Sequence, residues 1–94
     1  INNTNSPYTL IANGSDVRAN ATAGAITIAT PAAADYKYQS WWIKATNLTS
    51  AVTIDPNGAE TVNAAATANI PAINVWVRLW SDGTNWFAWR QDRI

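Results

Sequence analysis

Four of the six tryptophans in this 94-residue chain fall after residue 75, where bulky groups alternate on either side of an Asp-Gly pair. Alternation places Val75, Val77 and Leu79 on one face of a strand and Trp76, Arg78 and Trp80 on the other. Asp82-Gly83 is a hairpin signal, because a type I′ turn needs positive φ at both central residues. With those two residues as the whole loop, Leu79 lies opposite Trp86, Val77 opposite Ala88 and Trp76 opposite Trp89. Arg78 then faces Phe87 in position for a cation–π contact. A three-residue loop with a glycine bulge slips the register by one and carries Trp86 to the second face.

In the first register the second face reads Trp76, Arg78, Trp80, Phe87 and Trp89. A sheet in a small protein ordinarily buries one face and wets the other, yet here both faces are bulky. Each buried aromatic removes roughly 150–250 Å² from water, and exposed apolar patches of that kind mark interaction surfaces. Three covers stay open: a second sheet of the same chain, another copy of the chain, or a ligand stacking on an aromatic platform.

Six basic and six acidic side chains give zero net charge with no run of either sign. That balance carries no footprint for nucleic acid or an anionic membrane. Charged residues make up 13% of the chain, against about 25% in an ordinary soluble domain. Thr, Asn, Ser and Ala take their place, as suits an extracellular or virion-type β-protein. Without cysteine there are no disulfides or thiolate metal sites, so stability must come from packing or oligomerisation. Without histidine, the commonest general base and zinc ligand is missing. No cofactor is expected. The sequence shows no signal-peptide pattern and no apolar run of membrane-spanning length. A start at Ile1 rather than Met suits a fragment or processed product of a longer protein.

Breakers recur at short intervals: Pro7, Asn13-Gly14, Gly24, Pro31, Pro56-Asn57-Gly58, Pro71 and Asp82-Gly83. Short strands between regular turns predict one all-β domain, with antiparallel strands in a compact sandwich or prism. The expected strands are 8–12, 16–19, 25–30, 41–46, 51–55, 60–62, 67–70, 75–80 and 86–90. Pro31 to Asp35 is too short for a stable helix and reads as a loop or single turn. No internal duplication stands out.

Asp55 and Glu60 flank the Pro56-Asn57-Gly58 turn. Two carboxylates across a hairpin are what a glycosidase requires, but Asp before Pro-Asn-Gly ordinarily starts a turn by accepting backbone N–H groups. The same segment matches a calcium loop poorly, and the isolated glycines form no phosphate cradle. Asn2-Asn-Thr4, Asn13-Gly-Ser15, Asn20-Ala-Thr22 and Asn47-Leu-Thr49 are glycosylation patterns that a chain this rich in Asn and Thr carries by chance.

Ala23 to Ala33, Trp42 to Thr46, the Val52-Thr-Ile-Asp-Pro-Asn-Gly58 turn and the closing Ser81-Asp-Gly-Thr-Asn-Trp86 segment resemble the small β-domain of tailed-bacteriophage virion proteins. Such domains occur in tail fibres, tailspikes and head-surface proteins, and the resemblance covers roughly residues 8 to 90. It implies a non-catalytic structural or adhesive module, commonly trimeric. It also implies a core of Ile26, Ile28, Ile43, Val52, Ile54, Val77, Leu79 and Trp86. Trp41, Trp42, Trp76, Trp80 and Trp89 depart from that pattern and point to a contact specific to this chain. The resulting expectation is a virion-located homotrimer that also meets other virion proteins, with Trp42, Trp76, Arg78, Trp80, Phe87 and Trp89 as the interface. Tyr36, Lys37 and Tyr38 are the candidate receptor-contact loop, a host-surface glycan being one target, with Asn13-Gly14 and Asn57-Gly58 as further exposed loops. The alternative is a carbohydrate-binding module stacking sugars on Trp76, Trp80 and Trp89.

Overall fold

Ile26 and Ile28, then Val52 and Ile54, recur at every second position, which sets each pair on one side of extended backbone. The computed structural model, which describes residues 1–10 and 16–91, turns both pairs inward. The Asn13-Gly14 turn, the pattern at Asn13 to Ser15, the Ile11-Ala12 end of the first expected strand, and Asp92 lie outside the described residues.

The strands are β1 (Tyr8–Thr9), β2 (Asp16–Asn20), β3 (Ile26–Ala29), β4 (Ser40–Asn47), β5 (Val52–Asp55), β6 (Ala68–Asn69), β7 (Trp76–Ser81) and β8 (Trp86–Gln91). They form two four-stranded sheets, ordered β1-β3-β5-β6 and β2-β4-β7-β8. From β1 to β5 the chain passes from one sheet to the other with each strand. β1, β3 and β5 therefore pair in parallel, as do β2 and β4. This corrects the all-antiparallel expectation: both sheets are mixed. The winding is that of a short solenoid, in which each coil stacks on the one before.

The coils also repeat. Val17 pairs with Ile43 and Ile28 with Ile54, so residues 26 apart meet in both sheets. Val17-Arg-Ala19 lies against Ile43-Lys-Ala45, and Ile26-Thr-Ile28 against Val52-Thr-Ile54. Neighbouring coils thus set similar residues side by side, a structural repeat that did not stand out in the sequence. It is hard to see in the sequence because the register shifts between Ala19 and Asn20, where Asn20 meets Asn47.

That corner is held by stacked asparagines. Asn2 bridges Asn20 in parallel, and Asn20 pairs with Asn47. Their Oδ1 atoms accept the backbone N–H two residues on, from Thr4 at 2.9 Å, Thr22 at 3.0 Å and Thr49 at 2.8 Å. Each is an Asx turn, in which a side-chain oxygen takes the place of a backbone acceptor. The three Asn-x-Thr patterns thus have a structural role in turning the coils.

Antiparallel strands close the far end: β6 on β5, β7 on β4, and β8 on β7. The strand expected at 60–62 shrinks to isolated bridges from Val62 to Ala65 and Trp86. Asn63 and Ala64, at φ 51° and 67°, bend the chain there too sharply for extended pairing. Pro31 to Asp35 leads into a single 3₁₀ turn, Ala33–Tyr36.

All eight core residues implied by the resemblance are buried between the sheets. Trp41 joins them, with its ring 5.4 Å from that of Trp86 and 5.8 Å from that of Tyr36. Trp41 is thus interior, and does not belong to a chain-specific surface contact. The radius of gyration, 12.1 Å, matches the value of about 12 Å expected for a compact chain of this length.

Candidate functional site: the outer face of the tryptophan sheet

Inward-pointing residues of β2, β4, β7 and β8 fill the core, so alternation turns their neighbours outward. Pairing sets the outward residues in rows. Ser40, Trp80 and Phe87 form the first; Asp16, Trp42, Arg78 and Trp89 the second; Arg18, Lys44 and Trp76 the third. The second sheet packs on the face of Val77, Leu79 and Trp86. Among the described residues no second layer covers the aromatic face, and Trp89 is 47% exposed.

The hairpin register differs from both expectations. Ser81 pairs with Trp86, Leu79 with Ala88 and Arg78 with Trp89, leaving a four-residue loop. Asp82 sets its length: Oδ1 accepts from the N–H groups of Thr84 and Asn85, each at 2.8 Å. Gly83 has φ 97°, and a β-carbon there would stand 2.9 Å from the Lys37 stem. The Asn85 and Thr84 N–H groups hold the Asp82 carboxyl below its usual range. A shift of two preserves the faces, so Phe87 and Trp89 still point outward. Arg78 lies opposite Trp89 rather than Phe87.

One end of the face is an aromatic stack. Trp80 and Trp89 are parallel within 6°, with ring centroids 5.4 Å apart, and Phe87 lies 5.3 Å from Trp80. Trp80 Nε1 is buried and has no acceptor among the described residues. Buried indole N–H groups usually find one.

The other end is cationic. Arg18 and Lys44 are direct cross-strand neighbours, their charged groups 5.9 and 4.9 Å from the Trp76 ring centroid. Arg78 lies two residues from Trp76 on the same face. No carboxylate pairs with these three cations among the described residues. Sequence reading missed Arg18 and Lys44, which are far apart in the chain. The available signal was that they occupy equivalent positions of the two coils.

The proposed contact loop divides. Tyr36 is half-buried against Trp41. Lys37 extends over the Tyr38 ring at 5.0 Å, and Tyr38 is 71% exposed. Tyr38 is fixed by its N–H, which donates to Ser81 O at 2.7 Å.

Of the two carboxylates flanking the turn, Glu60 is committed to structural hydrogen bonds. Both Glu60 oxygens accept from Ala33 N, at 3.0 and 3.2 Å, and Oε1 also accepts from Trp86 Nε1 at 3.1 Å. At the Pro56-Asn57-Gly58 turn, Thr30 Oγ1 accepts from Asn57 N at 3.1 Å, the role expected of Asp55. Among the described residues no helix is long and apolar enough to cross a membrane, and no cluster of three or more metal-ligating side chains occurs. Compared with protein-family models, curated proteins and solved structures, the chain matches none.

Proposed function

We propose that this chain is a non-catalytic structural module of a tailed-phage virion, in a fibre, spike or head-surface protein. It associates with itself as a homotrimer and contributes to attachment at the host surface. The observation that carries this reading is the stack of Trp80, Trp89 and Phe87 on a sheet face that no second layer covers among the described residues. A partner chain laid on that stack removes aromatic surface from water and can bring an acceptor to the orphaned Trp80 indole. Sparse charge and self-stacking coils fit a module that resists extracellular conditions by packing alone.

Sedimentation equilibrium of the native chain, with Trp89→Ala and Tyr36→Ala beside it, tests this reading. Association should weaken in Trp89→Ala far more than in Tyr36→Ala. Equal weakening counts against the aromatic face.

The parallel Trp80 and Trp89 rings favour one rival, a carbohydrate-binding module, since such a stack also suits a sugar ring. A monomer whose tryptophan fluorescence responds to added polysaccharide would favour that reading.

A further inference from the structure

We infer that the cationic end of this face, formed by Arg18, Lys44, Trp76 and Arg78, is a binding site for an anionic polysaccharide. This deepens the attachment half of the reading above and rests on it. Three residues from three different strands bring positive charge to one face, although the whole chain is neutral. Asp16 is the one acidic residue in the three rows.

Arg18 and Lys44 are directly opposed across β2 and β4, an arrangement of like charges that costs stability. Neither is relieved by a carboxylate among the described residues. Both lie instead over the Trp76 ring, which orients them without supplying a countercharge within ion-pair distance among the described residues. The missing complement is an anion. Trp42 stands in the row beside the cations, next to the row of Trp76 and outside the Trp80–Trp89 stack, and supplies an aromatic surface for a sugar ring. Widely spaced anionic groups with stacking rings between them describe an acidic glycan.

Single-stranded nucleic acid combines charge and stacking too. Its denser phosphates are ordinarily met by a strongly basic groove, and a neutral chain with three clustered cations supplies less.

The test is titration of the native chain with polygalacturonate oligomers, with neutral dextran oligomers of equal length, and with oligo-dT, read by tryptophan fluorescence. Polygalacturonate should bind at least tenfold more tightly than the other two. Its affinity should fall steeply near 0.5 M salt, where screening reaches within roughly 4–5 Å. Arg18→Gln with Lys44→Gln keeps most of each stem over Trp76. Combined, the two should weaken binding about tenfold while circular dichroism stays unchanged. Equal binding of dextran, tighter binding of oligo-dT, or no binding of polygalacturonate overturns the inference. Sedimentation of the same samples separates the two failures. A trimer that ignores polygalacturonate defeats only the glycan site, and a monomer defeats the assembly reading.

Discussion

The indole N–H of Trp86, a fully buried ring, donates to Glu60 Oε1 at 3.1 Å. The same carboxylate accepts from Ala33 N, so one side chain ties the closing hairpin to the 3₁₀ turn. Glu60→Ala orphans two donors, at least one of them buried, and should cost about 1–3 kcal/mol in urea unfolding. Glu60→Gln keeps an acceptor and should cost less. Equal losses would mean the hydrogen bonds matter little beside the packing of the stem.

Trp41 and Trp86 pack against each other in the core with their ring planes tilted by 51°, whereas Trp89 lies outside it. Trp41→Ala or Trp86→Ala should destabilise the fold by about 3–5 kcal/mol. Trp89→Ala, measured by unfolding at a concentration too low for association, should change stability by under about 1 kcal/mol.

The Asp82 carboxyl titrates below its usual range because the N–H groups of Asn85 and Thr84 favour its ionised form. A group with a depressed folded value contributes stability above its unfolded pKa, and that stability is lost as pH falls through the folded one. The hairpin loop should therefore loosen only under acid conditions, below the ordinary Asp range. Hydrogen exchange at Thr84 and Asn85 checks this, and Asp82→Asn should flatten the pH dependence.

The stacked corner makes a graded expectation. Asn20 lies between Asn2 and Asn47 and accepts from both the N–H and the hydroxyl of Thr22. Asn20→Ala should lose about 1 kcal/mol, and Asn2→Ala, at the end of the row, should lose less. Thermal unfolding of the two variants would reveal the order.

Much of the interior was legible in the sequence. Period-two alternation of Ile26 with Ile28 and of Val52 with Ile54 identified buried faces correctly, while Val77 and Leu79 were placed inside only by the resemblance. The two-residue-loop register put Trp86 and Trp89 on opposite faces, and because the observed register differs from it by two that separation holds, whereas the bulged alternative would have joined them. The loop length was not legible, because it depends on the Asp82 side chain closing a four-residue turn around Gly83. Parallel coiling was hidden for a different reason. Alternation marks which side of a strand is buried but not which way its neighbour runs, and β2 offers only Val17 and two alanine-flanked polar positions as a signal. The cationic cluster lay beyond reach for the same cause, since only the pairing of β2, β4 and β7 brings Arg18, Lys44 and Arg78 together.

Under the proposed function, copies of this chain meet at the Trp80–Trp89 stack. Multi-angle light scattering of the native chain and Trp89→Ala over the same concentration series tests it most directly. The native chain should weigh three times 10.2 kDa. The variant should shift toward the single-chain mass, the loss of a central aromatic anchor costing on the order of 2 kcal/mol. A native chain that stays folded at 10.2 kDa up to millimolar concentration would show that the stack does not join copies of the chain.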